Sequence, residues 1–362
     1  MTRRLMVTWM SAFLVWVLVL SGGTAPAGTL DEIIAGAKKE GTVSLKLRSG
    51  FTPKSMGRLE KEIRDKFGVD LKVKFVPTGS MPKDVAQASM EQKTGAPSTY
   101  DLLTFMSNHV TLANKAGIME KIDWKPLITA DTNPEVVLEN PALQGAIISF
   151  TGHLGLIYNT EKIPADQVPR TLSGLADPRW KGKLGVFTYQ GGWARWARIM
   201  GKEKVYNDLR AILKNGAVGG RYSDVFNRFL INEVWLGLLS SVYLKMAQDK
   251  GMPVAWQDLD FSERQNFSVV VLKGAQHPNA AKLVAVYLAS PQGARFTLEE
   301  SGAGNLYYPG NFEHDISSQA KKQGIPEHSL ASYPGLLEFH LSKDYRNWQK
   351  EIKLIVDSGG ER

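Results

Sequence analysis

The apolar positions of this chain recur with two alternating periods, and the alternation predicts its elements. Residues 29–41 (TLDEIIAGAKKEG) carry acids at the start, Lys38 and Lys39 at the end and Gly41 as a stop, which predicts a helix capped by Thr29. Residues 43–49 (VSLKLRS) alternate and predict a strand. Pro53 opens a helix to Phe67 with Gly68 behind it, DLKVKFVP makes a second strand, and Ser80 begins a helix that ends near Lys93. Residues 100–105 (YDLLTF) form a third strand, followed by a helix that ends near Ala116.

The middle of the chain repeats this theme. AIISF and LGLIYN are strand-like runs on either side of Gly152, and residues 183–189 (KLGVFTY) are another strand. Gly191-Gly192 introduces one helix that ends near Lys214, and residues 234–240 (VWLGLLS) read as a buried strand before a helix to Lys250. Residues 267–273 (FSVVVLK) form a strand that returns to the first half, and Pro278 starts a helix ending near Ala289. Strands alternating with helices predict an α/β fold with largely parallel, doubly wound sheets. The expected organisation is two lobes: residues 28–149 plus 274–362 form lobe 1, residues 150–273 form lobe 2 with its hinge strands, and two crossing strands make the hinge.

The N-terminus breaks the pattern. Arg3 and Arg4 precede an uncharged apolar run over residues 5–20, and a small, turn-prone stretch ends in Ala25-Pro26-Ala27. This is the layout of a secretory signal peptide, with cleavage expected after Ala27; the run is shorter than the roughly 20 residues of a membrane span. No later run approaches that length, which predicts a soluble mature chain outside the cytoplasm. The absence of cysteine excludes disulfides, thiolate metal sites and a Cys nucleophile. An apolar fraction of 43% supports real cores. The formal charge of +8 falls to +6 without Arg3 and Arg4 and is spread along the chain. With no dense Lys/Arg block among aromatics, nucleic-acid binding is not expected; a mild positive field suits an anionic small ligand or surface.

Ligands of open parallel sheets bind beyond the carboxyl ends of strands, where helix N-termini present free N–H groups. That rule selects Ser49, Gly50 and Phe51 after the first strand, Thr78, Gly79 and Ser80 after the second, and Ser107, Asn108 and His109 after the third. In the second lobe it selects Tyr189, Gln190, Gly191, Gly192 and Trp193, then Arg221, Tyr222 and Ser223, then Ser240, Ser241 and Tyr243. Hydroxyls, glycine N–H groups and helix dipoles suit a carboxylate, sulfonate or phosphate. Phe51 and Trp193 are expected to add apolar contact or stacking. Thr78-Gly79-Ser80 reads equally as a turn with a helix cap, and Arg221 as a surface charge or an anion clamp.

Three blocks carry a family resemblance. LGLIYNTEKIP is followed by Pro169-Arg170-Thr171, Leu175 and Asp177-Pro178-Arg179-Trp180-Lys181-Gly182-Lys183 before a strand. His277-Pro278-Asn279-Ala280-Ala281-Lys282 leads to Ser290-Pro291-Gln292-Gly293, and Ala37-Lys38-Lys39-Glu40-Gly41 stands near the mature start. In this order the chain resembles the family-1 extracellular solute-binding proteins of ATP-driven importers, particularly their ferric-ion-binding-like branch. The resemblance implies the two-lobed periplasmic-binding-protein fold of type II, a monomer that closes on a small solute, and membrane permease subunits as partners. Ferric-binding relatives carry adjacent tyrosines at positions that align here with Val242 and Tyr243, so the first is lost, and no metal ligand set is expected. Tyr307-Tyr308 reads as packing beside Pro309.

No zinc-protease, P-loop or nucleophile-elbow motif occurs, and the six histidines lack metal-ligand spacing. Asp258 and Asp260 read as part of a solvated loop rather than an acid/base pair. The expected function is therefore periplasmic capture of an anionic or polar solute without catalysis or cofactor, with ferric iron or an iron chelate, and then a periplasmic enzyme, as alternatives.

Overall fold

The computed structural model describes residues 28–48 and 50–362, so the expected leader (1–27) and Ser49 lie outside the described residues. Helix α1 (Leu30–Glu40) forms where the local chemistry asks for it. Thr29 caps it in a reciprocal pair with Glu32, Lys38 and Lys39 occupy its last turn, and Gly41 exits at a φ of 63°. Strand β1 (Thr42–Leu47) buries Val43, Leu45 and Leu47. The chain continues through α2 (Pro53–Phe67), β2 (Lys72–Pro77), α3 (Met81–Thr94), β3 (Leu102–Met106) and α4 (Ser107–Lys115).

The two runs expected around Gly152 are one strand, β4 (Ala146–Asn159), with all of its residues buried. Then follow β5 (Leu184–Phe187), α5 (Gln190–Met200) and α6 (Lys202–Lys214). One helix was expected here; the break falls at Gly201, whose φ of 100° and ψ of 134° a residue with a side chain avoids. The second half is completed by β6 (Val218–Gly220), α7 (Tyr222–Leu230), β7 (Leu236–Ser240), α8 (Val242–Asp249) and β8 (Val254–Gln257). The return strand β9 (Ser262–Val271) starts earlier than its apolar core suggests, and α9 (Pro278–Ala289), α10 (Pro291–Ser301), α11 (Phe312–Lys322), β10 (Glu327–His328), α12 (Leu336–Leu341) and α13 (Lys343–Asp357) follow.

The strands form one mixed sheet in the order β2-β1-β3-β9-β4-β7-β5-β6, with β10 beside β9 and β8 beside β4. β1, β2 and β3 are mutually parallel, as are β5, β6 and β7. Between these sets β4 and β9 run antiparallel from Ala146↔Val270 to Leu154↔Glu263. One core gathers Leu45, Leu59, Ile147, Val269 and Leu283, and another Leu156, Val186, Trp196 and Leu238.

The C-terminal segment departs from the expected lobe boundaries. Residues 274–362 were grouped with the first lobe, yet Tyr345, Ile352 and Ile355 of α13 lie in the second core. Ile316 of α11 packs with Phe226 and Trp256, whereas Leu337 of α12 joins Phe105 and Val110 of the first half. After α10 the chain therefore threads back and forth between the halves, because each of these helices buries its apolar face on a different core. Asp258 also differs from the solvated loop expected: it is buried, and burial raises its pKa.

Two of the sequence motifs meet in space. The Glu40 carboxylate accepts from the backbone N–H of Asn279 (3.2 Å) and Ala280 (2.7 Å) and from Asn279 Nδ2 (2.7 Å), capping α9 from the end of α1. Removing it leaves helix N-terminal donors unanswered. Glu40→Ala is expected to lower unfolding stability by about 1–2 kcal/mol in a urea titration; an unchanged midpoint and slope would show that this cap does not hold α1 to α9.

Candidate ligand cleft between the halves

Strand directions decide where a ligand can sit. β7 runs opposite to β3, because each pairs antiparallel to one of the two central strands. The C-terminal ends of β1–β3 and of β5–β7 therefore point toward each other. Met106, ending β3, is level with Phe267, which pairs with Phe150; Ser240, ending β7, is level with Leu154. The gap between the halves is thus floored by β4 from Phe150 to Leu154 and by the opposite residues of β9.

The residues selected from the sequence stand at or just after the ends of β1–β3 and β5–β7. Thr78 follows β2, with its N–H bonded to Leu47 O at 2.7 Å; Gly79 is exposed, and Ser80 begins α3 without capping it. Ser107 is buried as the first residue of α4, and Asn108 keeps a buried Oδ1 with no hydrogen-bond partner among the described residues. Tyr189 is 49% exposed and precedes α5. A Cβ on Gly191 would collide with the Tyr345 hydroxyl and fall 2.6 Å from that of Tyr189, so a side chain here would have to displace both phenols. Ser240 lies beside Gly152 on the floor, where a Cβ would stand 3.9 Å from its hydroxyl. Helices α3, α4, α5 and α8, each following a strand at the gap, have no side-chain cap bond at their N-termini.

Other selected side chains are placed elsewhere. The Phe51 ring is 6% exposed and stacks on Phe296 in the first core, and a Cβ on Gly50 would meet Ser301 O at 2.7 Å. Trp193 is fully buried, stacks on Phe187 and donates Nε1–H to Phe187 O at 2.9 Å; Gly192 packs on the same Phe187 ring. Both aromatics fill cores because a helix following a strand turns its large apolar residues inward, so the expected ligand stacking is not available to them. Arg221 points outward and pairs with Asp224 (Nε to Oδ2, 3.0 Å), in place of the free clamp envisaged. The Ser241 hydroxyl is buried and already engaged by His153 and Glu313.

The residue missed at the sequence level is Arg48. It directly follows β1, half-buried, with its guanidinium carbon 5.4 Å from the centre of the Phe150 ring on the floor. Nη1 donates to Ser301 O at 3.0 Å, and no ion pair joins it to a carboxylate among the described residues. Burial pulls its pKa below the ordinary arginine value, and the Tyr243 phenol of the opposite half works against that shift. Burial likewise raises the Tyr243 phenol, with Arg48 opposing. Tyr243 packs on Phe226 (4.8 Å) and lies 6.4 Å from Tyr222, whose hydroxyl burial raises as well. The position was legible as a basic residue at a strand end, but glycine and hydroxyl residues drew the selection.

Behind this wall Arg195 and Glu263 form a buried pair at 2.6 Å, and Trp196 Nε1 donates to the same carboxylate at 2.6 Å, fastening α5 to β9. Burial drops His109 to about 4, leaving it neutral at physiological pH. No group of three or more His, Cys, Asp or Glu that could hold a metal ion occurs among the described residues. The gap thus offers one guanidinium, phenol and serine hydroxyls, and uncapped helix ends. No helix among the described residues is long and apolar enough to cross a membrane.

Comparison with known proteins adds the family. Residues 60–306 match the model of the bacterial extracellular solute-binding proteins. The major ferric iron-binding protein of Neisseria gonorrhoeae is 21% identical over 151 residues, covering 39% of this chain and 46% of that protein, so the chain spans about half the length of this curated relative. A Trichodesmium protein (IdiA, FutA) solved with iron and citrate is 18% identical, with a TM-score of 0.63 over 89% of this chain and 100% of that one. A spermidine/putrescine substrate-binding protein of Streptococcus pneumoniae is 14% identical, with a TM-score of 0.60 over 88% of this chain and 99% of the other. At these identities the solved structures share the fold and leave the solute open. An α/β chain with a mixed sheet, matched over most of its length, belongs to the bacterial extracellular solute-binding protein family, the non-enzymatic solute receptors of ABC transport.

Proposed function

We propose that this protein is an exported, monomeric receptor that captures a small anionic solute in the gap between its halves and hands it to the permease of an ATP-driven importer. The observation that carries the reading is Arg48. A half-buried guanidinium without a carboxylate partner, facing a phenol across the gap, is a desolvated positive charge that an anion would complete. The uncapped starts of α4, α5 and α8 supply further donors, and Tyr189, Ser240 and Tyr243 supply hydroxyls. On this reading Thr78, Ser80, Ser107 and Asn108, at the ends of β2 and β3, belong to the opposite rim. A ligand touching both rims stabilises the closed arrangement over the open one, so binding and closure are one equilibrium. The same charge works against a polyamine, which needs carboxylates where Arg48 stands.

A second reading is a ferric chelate. Tyr243 and Tyr222 stand 6.4 Å apart between ring centres and the Tyr189 phenol acts electrostatically on Tyr222, a grouping of hard oxygen donors that favours an anionic iron complex.

Calorimetric titration with carboxylate, sulfonate and phosphonate probes, spermidine, and ferric citrate separates these readings. At least one metal-free anion should bind, and Arg48→Gln should weaken it roughly ten- to a hundredfold, the worth of a charge-assisted hydrogen bond, while Arg221→Ala leaves it unchanged. Binding of ferric citrate alone, with a visible tyrosinate-to-iron band, would favour the second reading. Spermidine binding that Arg48→Gln strengthens would contradict both.

A further inference from the structure

A heavily charged buried cluster lies at His153, within the stretch of β4 that floors the gap. His153 of β4 is fully buried. Its Nδ1 lies 2.5 Å from Glu313 Oε2 of α11, and its Nε2 lies 3.2 Å from Glu327 Oε2 of β10. Arg264 of β9, which pairs with His153 across the sheet, reaches Glu327 Oε1 with Nη1 at 3.0 Å. Ser317 donates to Glu327 Oε2 at 2.8 Å. Asp258, from the turn before β9, faces the same histidine, and Tyr307 faces Arg264 and Glu327.

One arm of this cluster leads into the gap. Ser241 donates its hydroxyl to Glu313 and accepts from the His153 N–H at 2.8 Å, and the Ser241 N–H donates to His153 O at 2.9 Å. The Ser241 carbonyl in turn accepts from the N–H groups of Leu244 (3.0 Å) and Lys245 (3.4 Å), closing the first turn of α8. Tyr243 stands in that turn. The hydroxyl, both backbone bonds and the ring of His153 thus form one chain of contacts from the hinge strand to the phenol that faces Arg48.

We propose that His153 and Glu313 are positioning residues for the cleft: from behind the hinge, the imidazolium–carboxylate pair holds Ser241, and through it the first turn of α8 with Tyr243, against β4. This rests on the gap being the ligand site, but it is a statement about the empty protein and can be tested without a ligand. The uncharged imidazole cannot donate from both ring nitrogens, so loss of its proton leaves one of the two glutamates without its partner. That loss releases α8 at its first turn without touching the first core.

Burial alone would strip His153 of its proton; the bonds to Glu313 and Glu327 outweigh that and raise it to about 9. Burial would likewise favour a neutral Glu327, but His153 and Arg264 hold it down to about 2. The signs follow. The histidine's contribution is complete below its unfolded value of about 6.5 and is lost as pH climbs through about 9. The Glu327 contribution is complete above about 4.5 and is lost as pH falls toward about 2.

Hydrogen exchange of the ligand-free protein at single-amide resolution tests this, with rates corrected for the intrinsic effect of pH. The Leu244 and Lys245 amides report on Ser241, and the buried amides of α9, in the other half, report on global opening. In the wild-type protein, protection of Leu244 and Lys245 should fall about tenfold between pH 7 and pH 10 relative to α9. In His153→Gln and Glu313→Gln it should already be low at pH 7 and flat across that range, and the double variant should be no worse than the weaker single one. Unchanged relative protection in the wild-type pH series would overturn the proposal even if His153→Gln fails to fold. Equal loss at α8 and α9 would overturn it too, by showing a merely global role. None of these outcomes depends on whether a solute is found, so failure of the anion reading would be recorded separately.

Discussion

The structure depends on the pairing of β4 with β9. From Ala146↔Val270 to Leu154↔Glu263 these two antiparallel strands satisfy each other's backbone groups while belonging to both halves at once. Toward one end they are flanked by β3, toward the other by β7, and so a single sheet carries two oppositely directed parallel sets. Everything proposed about ligand capture is a consequence of that reversal. It turns the carboxyl ends of six strands, and the helix starts behind them, toward one strip of β4 a few residues long.

A buried strip of sheet is an awkward place for charge, yet this one is charged on both sides. Toward the gap, Arg48 lies over Phe150; behind the hinge, His153 and Arg264 meet Glu313 and Glu327. A buried ionic group is retained at a cost in desolvation and needs partners of good geometry. Behind the hinge the partners are present, each carboxylate answered by a cation and a serine. At Arg48 the partners are a backbone carbonyl and a phenol, and that imbalance separates a structural cluster from a binding one. The back-and-forth course of the C-terminal segment belongs to the same logic: α11 and β10 bring the glutamates to β4 and β9, α12 touches both halves through Leu337 and Phe339, and α13 packs on the second.

Much of the fold was legible because local signals agreed with the tertiary structure. Thr29, Glu32 and Gly41 delimit α1, Pro53 and Gly68 delimit α2, and alternation in VSLKLRS marks β1. What escaped depended on contacts distant in sequence. Gly152 suggests a break in β4, but pairing on both sides keeps the strand continuous; Gly201 breaks a helix whose apolar period runs straight through it. Strand-end reasoning selected Thr78, Ser107, Tyr189, Ser240 and Tyr243 at the ends of strands and could not tell which side chains point into cores. Phe51 and Trp193 sit at the right places in the chain and point into cores. Arg48 was passed over because a lone arginine at a strand end looks like surface, and the partners that cover it, Phe150 and Ser301, are distant in sequence. His153 had no sequence signal at all: its partners are 160 and 174 residues away.

Native mass spectrometry of the protein purified from the cells that produce it tests the central claim most directly. The account predicts a noncovalent organic adduct with an acidic group, retained by the intact protein and absent after Arg48→Gln. A bare iron adduct, a polyamine adduct, or an anion equally retained by both proteins would contradict it.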